Sequence, residues 1–124
     1  MVETSPEELQ AKLQKMWQQV LPLMMRRLEV VSRASQELAA GALNADLHSE
    51  AIHEAHKLAG ALGVFGLQEG SECALKIEQL LESKSKTESQ HSQPPFSHNE
   101  IATIQECVQL LEREIKSRSA RCHL

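Results

Sequence analysis

Apolar residues recur every three to four positions in five stretches of this chain, the pattern of amphipathic helices that bury one face. The spacing predicts helices at about residues 6–21, 23–40, 45–63, 67–82 and 98–117. Ser5 and Ser97 each precede a glutamate by three residues, which predicts capped starts for the first and last helices. Pro22 is expected to end the first helix, because proline cannot donate the backbone hydrogen bond that a helix interior requires.

The polar segment 83–97 contains a proline pair and predicts a long solvated loop. The connections before it are short, and short connections join helices that run in opposite directions. We therefore expect one domain over residues 1–124. Its predicted fold is all-α, an antiparallel up-and-down four-helix bundle with a short additional N-terminal helix.

Composition supports the helical prediction and excludes several kinds of partner. Hydrophobic residues make up 41% of the chain but aromatic residues only 2%, so the core must be aliphatic. The net charge of −4 argues against nucleic acid as a partner.

No apolar run approaches the roughly 20 residues that span a bilayer, and the acidic N-terminus does not resemble a secretory signal. The dispersed cysteines Cys73, Cys107 and Cys122 indicate reduced thiols, so we expect a cytoplasmic protein.

One segment, "HKLAGALGVFG" at residues 56–66, is not explained by packing alone. A histidine is followed by glycines four, seven and ten residues later, although each glycine inside a helix costs about 1 kcal/mol relative to alanine. On a helical wheel, His56 lies at the edge of the apolar face, and Gly60 and Gly63 flank it. Bare backbone beside the imidazole would let another protein approach it closely.

An exposed imidazole is substantially neutral near pH 7 and can act as a nucleophile, including toward a phosphoryl group. Lys57 points about 100° away from His56 on the wheel, but its long side chain could reach such a group. The sequence has neither a nucleotide-binding glycine loop nor a carboxylate cluster for Mg²⁺. A partner would therefore have to supply the phosphoryl donor, the metal and most of the catalysis.

The segment "AHKLAGALGVFGLQEGSECALKIEQLL", residues 55–81, resembles the histidine-containing phosphotransfer domains of bacterial multistep phosphorelays, in particular the cyanobacterial type. The likeness extends more loosely to residues 16–31. Many members of this family carry lysine at the place of Ala59, whereas here the basic residue is Lys57, directly after the histidine.

This resemblance implies that His56 accepts a phosphoryl group from the aspartate of one response-regulator receiver domain and passes it to another. It also implies a hybrid histidine kinase as a partner and Mg²⁺ bound only by the receiver, with no cofactor on this chain. Partner approach and phosphoryl support would fall to a set of nearby residues: His53, Lys57, Ala59, Gly60 and Gly63. One histidine per bundle can work as a monomer, and the protein would be a phosphoryl carrier rather than an enzyme.

Three alternatives compete with this hypothesis. A lone histidine at the edge of a core is more often structural or simply solvated, although the glycines and the resemblance argue against that here. A bundle of the same family could also bind a receiver or a kinase as an adaptor without being phosphorylated. His48, His53 and His56 could suggest a metal site, but His48 and His56 lie on opposite sides of His53, and we expect no metal there.

Overall fold

The computed structural model describes residues 5–85 and 96–121, and all regular structure in these ranges is helical. Four helices fill them: α1 (Pro6–Ala39), α2 (Ala45–Val64), α3 (Gln68–Ser85) and α4 (His98–Arg121). The all-α prediction is confirmed. Residues 83–85 belong to α3 rather than to the predicted loop, and residues 86–95 of that loop lie outside the described ranges.

The predicted break at Pro22 is wrong, because α1 continues through the proline as a single helix of 34 residues. The additional N-terminal helix and the second helix are therefore one element. Pro22 deprives the carbonyl of Gln18 of its helical partner, but both residues lie on the exposed side, where water can bind that carbonyl. Trp17 and Met24 are buried on either side of the proline, so packing holds both halves of α1 against the bundle.

Trp17 joins three helices at one end of the bundle. Its fully buried ring meets the Phe65 ring edge-on at 5.1 Å between centroids, just beyond the end of α2. Its indole N–H donates to Oγ of Ser119 in α4 at 3.2 Å, and the Arg118 guanidinium lies 5.9 Å from the ring centroid. These contacts hold the end of α4 against the bundle, and α4 reaches Arg121, whereas the sequence predicts an end near residue 117.

The helix ends follow the capping rules closely. Ser5 accepts a hydrogen bond from the Glu8 N–H at 3.1 Å, as the sequence predicts. Ser97 and Glu100 form the predicted reciprocal capping box. Oγ of Ser97 accepts from the Glu100 N–H at 3.1 Å, and Oε1 of Glu100 accepts from the Ser97 N–H at 2.8 Å. A local cap thus begins both α1 and α4.

The turn from α2 to α3 occupies only residues 65–67. Gly66 adopts the left-handed conformation, with φ of +74°, that side-chain-bearing residues avoid. Its N–H donates to the carbonyl of Gly63 at 3.1 Å, and the N–H of Leu67 donates to Leu62 at 2.9 Å, a Schellman motif. Gly66, ten residues after His56, is therefore required by the turn.

The helices pack as a ring in which α2 contacts α1 and α3, and α4 contacts the same two helices. The enclosed core is largely aliphatic, as predicted, and its fully buried members include Ala51, Ala55, Leu58, Leu62, Ala74, Ile77, Leu111 and Ile115. None of the helices within residues 5–85 and 96–121 has an apolar stretch sufficient to cross a membrane.

Replacing Pro22 with alanine should stabilise the protein, because alanine restores a backbone hydrogen bond inside a helix that is already continuous. We expect the free energy of unfolding to rise by about 2 kcal/mol, measured by urea denaturation followed by circular dichroism. Gln18→Ala, at an exposed neighbouring position, serves as the control and should change stability by less than about 0.5 kcal/mol. A loss of stability in Pro22→Ala would contradict a continuous α1.

Candidate functional site

His56 presents its imidazole on the outside of α2, with 72% of the side-chain surface exposed. Its backbone is fixed by the buried neighbours Ala55 and Leu58, which are fully enclosed in the core. Its Nδ1 lies 3.0 Å from Oε2 of Glu78 in α3, within hydrogen-bond distance. The helix therefore carries an exposed ring whose Nδ1 is directed at a carboxylate of the neighbouring helix.

Three contacts show how α3 brings Glu78 to this position. Near the end of α2, the carbonyl of Ala59 accepts a hydrogen bond from Oγ of Ser71 at 2.7 Å. Further back along α2, His56 meets Glu78. Near the start of α2, Nε2 of His48 lies 2.7 Å from the carbonyl of Leu81. Later residues of α2 are thus paired with earlier residues of α3. The register set by the Gly66 turn places a carboxylate opposite the histidine.

Glu78 is much less exposed than its partner, with 15% of its side-chain surface accessible. Its Oε1 is buried and has no hydrogen-bond partner among the described residues. The carboxylate therefore interacts with His56 through its other oxygen, Oε2. An ionised carboxylate can only accept hydrogen bonds, so we assign the imidazole proton to Nδ1. In the neutral ring that assignment leaves the lone pair on Nε2.

The space beside His56 is open on the side of the two helical glycines. A methyl group added at Gly60 would meet nothing within 4 Å, and one at Gly63 would meet Oγ of Ser71 at an ordinary 3.6 Å. Both glycines are exposed. The internal packing of the protein therefore explains neither glycine, in contrast to Gly66.

Lys57 and His53 lie on the exposed side of α2. Neither side chain forms a hydrogen bond or an ion pair with the imidazole of His56 in the described part of the chain. Lys57 is 53% exposed, and its Nζ lies 3.9 Å from Oε1 of Glu54. The other oxygen of Glu54 lies 3.4 Å from Nε of Arg27 in α1, which holds this carboxylate toward α1. Lys57 thus has only a long ion-pair contact, whereas half-buried Ala59 meets α3 through its carbonyl, which accepts from Ser71.

The three histidines of α2 belong to no cluster of metal ligands among the residues that the structure describes. His48 is turned toward the Leu81 carbonyl and the ring of Phe96, whose centroid lies 6.1 Å from its own. Within residues 5–85 and 96–121, no group of three or more histidine, cysteine, aspartate or glutamate side chains is arranged to hold a metal ion. What the site offers is one oriented, exposed nucleophilic nitrogen.

Glu78 is the residue that sequence reasoning missed. The available signal was its position: it lies four residues after buried Ala74 and three before buried Leu81, at the edge of the core stripe of α3. A carboxylate at a core edge must find a partner or stay solvated. Which residue of α2 it faces depends on the register of the two helices.

Comparison with known proteins adds a family assignment. The family model described as "Hpt domain" matches residues 7–114. Protein RcaC of Microchaete diplosiphon is 26% identical over 104 residues, which is 84% of this chain and 16% of that protein's length. The chain thus spans about a sixth of this relative. No solved structure gives a significant match.

Gly60→Ala should stabilise the isolated protein, because alanine favours the helix and its methyl group would project into empty space. We expect a gain of about 1 kcal/mol in the free energy of unfolding, measured by urea denaturation. Gly66→Ala is the matched control and should lose stability, since its backbone conformation is strained for alanine. A destabilised Gly60→Ala would mean that this glycine serves the protein's own fold.

Proposed function

The chain belongs to the Hpt domain family, and from that premise we propose that it relays phosphoryl groups through His56. In this proposal, His56 accepts a phosphoryl group from the aspartate of one receiver domain and transfers it to the aspartate of another. The observation that carries the proposal is the exposed imidazole whose Nδ1 is bonded to Glu78. That bond leaves Nε2 available as the nucleophile.

The transfer step uses the two ring nitrogens in different ways. The lone pair of Nε2 attacks the phosphorus of the aspartyl phosphate, and the bond from phosphorus to the carboxyl oxygen breaks. The receiver's aspartate leaves as a carboxylate with the bonding electron pair. The ring, still protonated at Nδ1, becomes positively charged, and the Glu78 carboxylate at 3.0 Å stabilises that charge as it develops.

We assign the remaining catalytic groups to the partner. Phosphoryl transfer depends mainly on in-line positioning and on neutralisation of charge around the moving group. Glu78, the carboxylate beside His56, is committed to Nδ1, so Mg²⁺ belongs on the receiver in this proposal. The protein then acts as a phosphoryl carrier, and no cofactor of its own takes part.

Access and charge at the site fit a protein partner. The open space at Gly60 and Gly63 would accept the rim of a receiver's acidic pocket around His56. Lys57, held only weakly by Glu54, could turn toward the phosphoryl oxygens once the complex forms. His53, one turn before His56, lies on the same exposed side.

The wider setting of the protein follows from the same proposal. We propose that it works as a monomeric, antiparallel helical bundle in the cytoplasm. Its partners would be response-regulator receivers and a hybrid histidine kinase. An adaptor that binds these partners without phosphorylation is the competing function, and phosphoryl uptake separates the two.

Incubation with a phosphorylated receiver should place an acid-labile phosphoryl group on His56. His56→Gln should abolish the label, while the stability of the protein changes by less than about 0.5 kcal/mol because the ring is exposed. The measurement is transfer of ³²P from a set of purified receiver domains, with peptide mapping of the labelled residue.

His98→Gln is the control for this experiment, since it removes an exposed histidine from a different helix, α4, and should retain the label. Equal labelling of His56→Gln would contradict the assignment of the phosphoacceptor. Receiver binding without any label on the unmodified protein would instead identify an adaptor.

Removal of the Glu78 carboxylate should slow transfer without unfolding the bundle. Glu78→Ala frees Nδ1, so the proton is shared between both nitrogens and the positive ring loses its counter-charge. We expect the transfer rate to fall by about tenfold to a hundredfold. Glu78→Gln, which can still accept from Nδ1 through its amide oxygen, should lose less.

Rapid-quench measurement of phosphoryl transfer from one receiver gives these rates. Gln79→Ala, at the exposed adjacent position of α3, should transfer at the unmodified rate. An undiminished rate in Glu78→Ala would show that the contact with His56 has no part in the chemistry.

A further inference from the structure

Two thiols from different helices lie side by side on the face between α3 and α4. Cys73 in α3 is half-buried and Cys107 in α4 is buried, and both are free thiols. They line the same surface recess of about 290 Å³, together with Glu69, Lys76 and Leu110. Neither cysteine contributes to the site at His56.

The two thiols are close enough for Cys107 to affect the ionisation of Cys73. Burial raises the pKa of the Cys73 thiol to about 12, and the charge of Cys107 and a hydrogen bond with it add to that rise. The nearby carboxylates Glu114 and Glu69 act in the same direction. A disulfide needs two cysteines whose α-carbons are about 4.4–6.8 Å apart, and side chains that line one recess from two packed helices are placed to form such a link.

We propose that Cys73 and Cys107 form a reversible disulfide that ties α3 to α4 when the protein meets a hydroperoxide. The protein would then carry an oxidative modification site independent of its phosphotransfer function. Because a disulfide constrains the unfolded chain over the loop that it closes, the oxidised bundle would be more stable than the reduced one.

The reaction balances with the hydroperoxide as oxidant. The sulfur of Cys73, the more accessible thiol, attacks one peroxide oxygen, the O–O bond breaks, and a sulfenic acid and water (or an alcohol) result. The sulfur of Cys107 then attacks that sulfenic sulfur, the S–S bond forms, the S–O bond breaks, and water leaves with the thiol proton. Two thiols are oxidised and one peroxide is reduced.

The surroundings of Cys73 shape both the formation and the lifetime of this link. Its high pKa leaves little thiolate near neutral pH, so oxidation is slow. The same property makes Cys73 a poor leaving group in thiol exchange, so the disulfide resists reduction once formed.

The link should leave the phosphotransfer site usable. Cys73 and Glu78 are five positions apart, about 140° around the axis of α3, so they face different neighbours. Cys73 faces α4, whereas Glu78 faces α2. Oxidation is therefore expected to stabilise the bundle without removing the contact at His56.

The test treats the protein with hydrogen peroxide, blocks the remaining thiols under denaturing conditions, and maps the peptides by mass spectrometry. We expect a peptide pair joining Cys73 to Cys107, lighter by two hydrogen atoms than the separate thiol peptides. The oxidised protein should melt about 10 °C higher than the reduced protein, and dithiothreitol should reverse the shift.

Cys122→Ser is the control and should form the same link, whereas Cys73→Ser should form none and show no reversible rise in melting temperature. Full alkylation of both Cys73 and Cys107 after peroxide treatment would overturn the proposal. So would a disulfide that joins either of them mainly to Cys122, or a linked protein that melts no higher than the reduced one.

Discussion

The contact between Nδ1 of His56 and Oε2 of Glu78 is the interaction on which the account of this protein depends. It joins α2 to α3 at 3.0 Å, and it decides which nitrogen of an exposed ring is left with a lone pair. The pair contributes little to stability, because one partner is largely in water. Its importance lies in the orientation and protonation of the ring.

The fold supports this contact by fixing the register of two helices. The Gly66 turn leaves only residues 65–67 between α2 and α3, and the bond from Ser71 to the Ala59 carbonyl holds the helices close together. Ala55 in α2 and Ala74 in α3 are fully buried, and side chains this small let packed helices approach closely. Small residues at the interface thus allow Glu78 to reach across to His56.

Local signals in the sequence were sufficient for much of the fold. Capping residues predicted the starts of α1 and α4, and the apolar stripe of α2 predicted that His56 lies at its edge. Features that depend on distant contacts were not accessible in this way. The sequence around Pro22 indicates a break, but Trp17, Phe65 and Ser119 together keep α1 continuous and α4 long. Propensity cannot anticipate those contacts, because the three residues are far apart in the chain.

The same distinction between local and long-range features applies to the residues of the candidate site. The position of His56 and its glycines outside the apolar face was predictable because it depends on one helix, and the open space at Gly60 agrees with the idea of partner access. Glu78 was missed because its partner depends on how α3 is aligned with α2. Ala59, named as a site residue from its sequence position, faces α3 through its carbonyl. The Cys73 and Cys107 pair likewise became visible only when two helices were placed together.

The most direct test of the central claim is the tautomer of His56, measured by long-range ¹H–¹⁵N correlation NMR on the isolated protein above the pH at which the ring is charged. The account predicts a protonated Nδ1 and an unprotonated Nε2, with that preference lost in Glu78→Ala. A ring protonated mainly at Nε2 would contradict it, because the nitrogen proposed as the nucleophile would then carry the proton.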